Sequence, residues 1–221
     1  MGNINGKALP DEQKPDIIYV FDALCGWCYG FSPVIHKVYD SFSAQVDFQV
    51  LSGGMITGDR IGPIGEVAPY IKQAYKTVEA STGVKFGEKF LVNILDKGEV
   101  IFSSIPPAKA LSVFRQLQPD NTLAFATEMQ NAIYFYGIDV SDLGEYGKIA
   151  SVFGIDADVF IQKMQQPDLE QLIINEFQMA ASFGVMVYPS IVLIKGEETS
   201  IISEGYKSYE DMVVIIEESL K

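Results

Sequence analysis

Apolar residues recur along this chain with two different periods, and the changes of period divide it. The run "PDIIYVFDA" (15–23) is β-branched and aromatic and begins at a proline, which predicts a buried strand. Phe31, Ile35, Val38 and Phe42 then follow at helical spacing, so a helix is expected from about Cys25 to Ser43. Pro33 falls inside it and predicts a kink. "AQVDFQVLSGG" (44–54) reads as a second strand closed by a glycine pair.

From Thr57 to about Ser182 the pattern is mostly helical. "GEVAPYIKQAYKTVEASTG", "PPAKALSVFRQLQPDN" and "NTLAFATEMQNAIYFYG" each read as one helix, whereas "KFGEKFLVNILDKGEV" is ambiguous. "SDLGEYGKIASVFG" and "DADVFIQKMQQ" open on candidate caps, Ser141 and Asp156. "PDLEQLIINEFQMAASFG" places Leu169, Leu172, Ile173, Phe177 and Ala180 on one face, the pattern of a packed helical core. After Gly184 strands return as a hairpin around Gly-Glu-Glu, and "SYEDMVVIIEESLK" closes the chain as an amphipathic helix. The expected organisation is a flexible segment over 1–14, an α/β domain built from 15–56 and 184–221, and a helical insertion over 57–183.

Composition narrows the function. The 221 residues are 48% hydrophobic, enough for a sizeable core. The formal charge of -13 opposes nucleic acid and anionic membranes as partners. No run reaches the ~18 apolar residues of a membrane span. The first fifteen residues lack the basic start and hydrophobic stretch of a secretory signal, so a cytoplasmic protein is expected.

The chain has two cysteines, both in "FDALCGWCYGF" (21–31). A disulfide closing so short a loop gains little chain entropy, which makes a structural bridge a weak explanation. A zinc site needs four ligands, and the chain has no second CxxC or CxxH and a single histidine, His36, so a closed site would need carboxylates or a partner chain and no metal is expected. A redox pair fits better. At a helix N-terminus, unpaired N–H groups and the helix dipole favour a thiolate. A CxxC or helix-start setting lowers a cysteine pKa to about 3.5–7.5. Cys25 is then the attacking thiol. Cys28, one turn on, resolves the mixed disulfide. No cofactor is required, since the two sulfurs carry the electrons. Gly26 and Trp27 lie between the thiols and are expected to meet substrate. His36 is read as a surface or packing residue.

These segments resemble the thioredoxin superfamily, and within it the DsbA-like family. "CGWCYGFSPVIH" is similar to that family's active-site helix, with Pro33 at the place of its kinking proline. "FGVMVYPSIVL" resembles the segment carrying the fold's cis-proline, which makes Tyr188–Pro189 the expected cis bond. The resemblance implies an α/β thioredoxin-like fold, a central mixed sheet flanked by helices, with a large all-helical insertion. It implies thiol–disulfide oxidoreductase or protein disulfide isomerase activity through Cys25 and Cys28, with Tyr188 and Pro189 beside them binding substrate. The absent signal favours the cytosolic branch that includes FrnE and predicted protein disulfide isomerases. Expected partners are protein or small-molecule disulfides and thiols, with glutathione a candidate redox partner.

Two departures stand out. Gly-Trp separates the cysteines where strongly oxidising relatives carry Pro-His. Tyr19 stands six residues before Cys25, where many relatives bury an acid, and Asp22 is nearer in sequence. Two rival readings use the same fold. One is a glutathione-dependent isomerase or transferase of the kappa or 2-hydroxychromene-2-carboxylate isomerase type, which the CxxC opposes. The other is a chaperone-like binding module without redox turnover.

Overall fold

The computed structural model describes residues 14–221. The expected flexible segment therefore lies, but for Lys14, outside the described residues. Strand β1 (Asp16–Phe21) is central. It pairs in parallel with β2 (Asp47–Ser52) and antiparallel with β5 (Ser190–Lys195), and β6 (Glu198–Glu204) completes the order β2-β1-β5-β6. Its register sets Tyr19 opposite Val50 and Ile191. The sheet is mixed, as expected, and the β5–β6 hairpin forms across Gly196 and Glu197.

Period-two alternation gives β1 two buried faces. Ile17, Tyr19 and Phe21 belong to the larger core with Phe31, Ile35, Val38 and Phe42 of α1 (Gly26–Phe42) and Met212 and Ile216 of α8 (Tyr209–Ser219). Ile18 and Val20 face the other way, packing with Leu51 and Val192 against Ala180 and Val185. Ala180 belongs to α7 (Leu169–Ser182), so the last helix before β5 covers the second face. Helix α1 runs unbroken through Pro33. The proline has no N–H for the Tyr29 carbonyl four residues back, and the Ser32 hydroxyl donates to that carbonyl instead (2.9 Å).

Between β2 and β5 the chain is mainly helical. It comprises α2 (Ala68–Thr82), α3 (Ile105–Leu117), α4 (Thr122–Tyr134), α5 (Leu143–Val152), α6 (Ala157–Met164) and α7. A ribbon of two-residue strands, β3 (Gly62–Pro63) and β4 (Ile101–Phe102), also lies in it. The ambiguous stretch proves to be a π-helix over Phe90–Asp96. Phe114 and Phe125 stack 4.1 Å apart at the centre, with Phe153 and Phe160 around them.

Two local expectations change. Helix α5 is capped by Asp142, whose Oδ1 accepts from the Gly144 N–H (2.8 Å), and not by Ser141, whose hydroxyl turns to Asp139. Asp156 does cap α6. On α7, Leu172 is exposed and Glu176 is buried in the stripe instead. Glu176 is tolerated there because Arg115 of α3 reaches it in an ion pair, while also donating to the Val50 carbonyl (2.9 Å).

Candidate active site

Strand β1 ends at Phe21, and Asp22 turns the chain. Its main-chain carbonyl accepts from the Cys25 N–H (3.1 Å) and its Oδ1 from the Leu24 N–H (2.9 Å), a tight turn that delivers Cys25 as the N-cap of α1. Its Oδ2 accepts from the Met55 N–H (2.8 Å), so the same carboxylate ties this turn to the segment after β2. Asp22 is buried, and burial raises its pKa above the ordinary carboxylate value; the N–H groups of Met55 and Leu24 and the Ser104 hydroxyl partly oppose this.

The Cys25 sulfur accepts the Cys28 N–H (3.3 Å) and lies 3.5 Å from the Tyr188 carbonyl oxygen. Tyr188–Pro189 is cis. The Tyr188 hydroxyl donates to the Gly53 carbonyl (2.7 Å), which anchors the loop to the end of β2. Gly53 and Gly54 permit this approach: a Cβ at Gly53 would overlap the Tyr188 ring, and Gly54 has φ 71° against Phe177.

Both thiols are free, but their surroundings differ. Cys25 keeps 6% exposure and Cys28 has none. Burial pushes the Cys28 thiol well up, and the neighbouring Cys25 adds to this. Tyr19 is buried beside the pair and its hydroxyl has no hydrogen-bond partner. Burial, then the charges of Cys28 and Cys25, hold its pKa well above the usual phenol value.

Cys25, Gly26 and Trp27 also border a cavity of about 280 Å³. Tyr70 and Ala74 of α2, Phe86, Phe90, Phe102 and Tyr134 form much of its wall. Gly26 and Trp27 are half-buried, and Trp27 leans on Tyr206 with ring centroids 6.2 Å apart. The structure thus brings all six expected site residues to one place. His36 points elsewhere: its Nε2 lies 2.7 Å from the Thr127 hydroxyl. Among the described residues, no three His, Cys, Asp or Glu side chains gather as a metal-binding set.

A family model described as a DSBA-like thioredoxin domain matches residues 16–213. The chain belongs to this DSBA-like thioredoxin family. Among solved structures it is similar to a provisionally assigned protein disulfide isomerase from Nitrosomonas europaea, at 26% identity and TM-score 0.84 over 94% of this chain and 98% of that one. It shares its fold with the cytosolic disulfide reductase DsbM from Pseudomonas aeruginosa, at 21% identity and TM-score 0.78 over 93% and 98%. A 2-hydroxychromene-2-carboxylate isomerase shares the fold more distantly, at 12% identity and TM-score 0.61 over 93% and 94%. No curated protein sequence gives a significant match. As in the family, a CxxC stands at the start of a helix beside a cis-proline. Sequence reasoning missed two things in this DSBA-like chain. Beyond Leu24–Trp27, Met55 and Ile56, the cavity wall is drawn from 67–134 with no motif to announce it, and Asp22 ties its turn to Met55, 33 residues away.

Proposed function

We propose that this protein is a thiol–disulfide oxidoreductase that works through a mixed disulfide on Cys25. The observation that carries this is the asymmetry of the pair. The Cys25 sulfur caps a helix, receives the Cys28 N–H and faces the Tyr188 carbonyl, whereas Cys28 is sealed and held protonated by burial. Cys25 thiolate attacks one sulfur of a substrate disulfide and expels the other as a thiolate. Cys28 loses its proton and attacks Cys25, forming the intramolecular disulfide and releasing the second thiolate. Two electrons pass from the dithiol to the substrate, and the reverse sequence oxidises a dithiol. Tyr188 and Pro189 offer backbone to an extended substrate beside the sulfur, and Gly26 and Trp27 border the cavity. Substrates are protein or small-molecule disulfides and thiols, with glutathione a candidate redox partner. A cytoplasmic setting is part of this reading, supported by the fold shared with a cytosolic reductase.

The test is a redox titration in glutathione buffers, followed by Trp27 fluorescence and thiol alkylation. A midpoint of roughly -230 to -120 mV assigns an isomerase or oxidant, and one near ~-270 mV or below a reductase. Cys25→Ser is expected to lose all exchange, and Cys28→Ser to trap the mixed disulfide. Full dithiol–disulfide exchange by Cys25→Ser would falsify the roles.

A further inference from the structure

One buried donor beside the thiols is unspent. Tyr19 sits on β1, and strand alternation turns it into the larger core with Ile17 and Phe21. Its ring stacks on Phe21 (centroids 5.3 Å apart) and lies 5.9 Å from the ring of Phe31. Phe31 follows Cys28 by three residues on α1, so the two share a helix face, and Tyr19 packs against that face. Tyr19 is 1% exposed, yet its hydroxyl has no hydrogen-bond partner, an arrangement that costs stability. The charges that act on it are those of Cys28 first and Cys25 second. Cys28, for its part, is short of donors. It is fully buried, and no lysine, arginine or histidine is among the groups that act on it. His36, on the same helix, turns to Thr127. The charges of Cys25 and Asp22 both oppose ionisation of Cys28, and only the Asp22 main-chain N–H favours it. Tyr188 and Tyr134 also sense its charge, but the Tyr188 hydroxyl is given to the Gly53 carbonyl, and Tyr134 senses Cys25 more strongly. A thiolate must still form on Cys28 each time it resolves a mixed disulfide.

We propose, resting on the oxidoreductase reading above, that Tyr19 donates its O–H to the Cys28 sulfur as that sulfur becomes a thiolate, and so sets the speed at which the mixed disulfide is resolved. In the resting dithiol the hydroxyl is unpaired; its partner appears with the charge. A hydrogen bond to an ionised group is roughly twice as strong as a neutral one, and a dry site strengthens it further. Tyr19 keeps its own proton throughout, because burial and the nearby sulfur charges hold its phenol well above the usual value. It gives a hydrogen bond and takes no proton, a role different from that of a base. In resolution the Cys28 S–H bond breaks, the Cys28 sulfur bonds to Cys25, and the bond from Cys25 to the substrate sulfur breaks. The departing thiolate takes up a proton, which balances the one Cys28 gave up. In the reverse direction a thiolate attacks Cys25 of the internal disulfide and expels Cys28 as a thiolate, which meets the same O–H. Attack of Cys25 on a substrate disulfide leaves Cys28 a thiol and gains nothing from Tyr19.

Acid-quenched rapid-mixing kinetics of the full chain test this, with reduced protein, mixed disulfide and internal disulfide told apart by mass. Excess bis(2-hydroxyethyl) disulfide drives the forward direction, and glutathione opens the oxidised chain in the reverse. Tyr19→Phe keeps the ring and removes the O–H. Its resolution of the mixed disulfide and its opening of the internal disulfide are each expected to slow roughly tenfold or more at neutral pH, since a hydrogen bond to a charged group contributes at least the about 1.4 kcal/mol that a tenfold ratio represents. The rise of the resolution rate with pH is expected to move up by roughly one unit. Mixed-disulfide formation, compared in Cys28→Ser with and without Tyr19→Phe, is expected to stay within about twofold. The equilibrium with glutathione is expected to stay within about twofold as well, because Cys28 is a thiol at one end and a disulfide sulfur at the other and is charged at neither. Equal resolution rates with and without the O–H overturn the proposal. So does an equal slowing of all three steps, or a shifted equilibrium with glutathione, either of which marks a loosened site and not a lost donor. All three outcomes leave the oxidoreductase reading intact. No exchange of the unaltered chain with any disulfide fails that reading itself, and the Tyr19 proposal with it.

Discussion

Cys25 meets main chain at one contact and borders a cavity walled by side chains. The Tyr188 carbonyl stands 3.5 Å away, on a loop pinned to the Gly53 carbonyl. The cavity wall includes Ala74, Phe86, Phe90 and Tyr134, contributed by the segment between β2 and β5. A main-chain surface has the same chemistry whatever the residue, so it suits a step common to all disulfides. A side-chain wall can be redrawn by substitution without touching the sulfurs. The sheet and α1 thus place the two thiols, and the helical segment builds most of the cavity wall beside them.

The comparison breaks most visibly if the wall is also the scaffold. Phe90 is fully buried and packs edge-on against Tyr134 and beside Phe86. Phe90→Ala is expected to cost about 3–5 kcal/mol in urea unfolding, as truncations of buried aromatics do. A cost under 1 kcal/mol would show a wall independent of the core. Gly53→Ala acts on the main-chain contact. Its Cβ would meet the Tyr188 ring, and displacing that ring moves the carbonyl beside Cys25. We expect a loss of about 1–3 kcal/mol together with slower exchange for every disulfide alike; a loss confined to apolar disulfides would blur the two surfaces. Tyr19→Phe removes a buried hydroxyl without a partner. Stability is expected to rise by about 1 kcal/mol, read as an upward shift in thermal midpoint.

The smallest effect is a slope. The raised pKa of Asp22 means that the folded state holds this proton more tightly than the unfolded chain does. Stability from the protonated carboxyl is complete below the ordinary value of 3.8, and it is lost as pH rises through the raised value. Asp22→Asn is therefore expected to flatten the fall of unfolding free energy with pH between 3.8 and that raised value. Glu176, also raised by burial, remains in both proteins and drops out of the difference. An unchanged slope would mean that Asp22 binds its proton equally in the folded and unfolded chains.

The strands, the helix after Cys25 and the hairpin were legible because each rests on a run of neighbouring residues whose period is visible locally. The CxxC and Tyr188–Pro189 were legible as a pair only through the order of elements between them. What escaped depends on partners distant in sequence. Glu176 joins an apolar stripe because Arg115, 61 residues away, neutralises it. Leu172 leaves that stripe because the buried face of α7 runs through Leu169, Ile173, Glu176 and Ala180. Asp142 displaces Ser141 as a cap because Asp139 takes the serine hydroxyl. The cavity was illegible for the same reason: its wall comes from several helices, each of which reads alone as ordinary core.

The sulfur and its main-chain neighbour are also far apart in the order of synthesis. Cys25 and Tyr188 are separated by 163 residues. At ~5–20 residues per second, the ribosome completes the thiol pair roughly 8–30 s before the loop that covers it. Strand β1 spends the same interval without β5, its antiparallel neighbour. A nascent chain therefore displays two adjacent thiols on an unfinished sheet, open to oxidants and foreign thiols that the mature protein meets only at one sulfur. Folding of the final 30 or so residues (β5, β6 and α8) is the event that completes the sheet around β1 and closes the Tyr188 loop over Cys25.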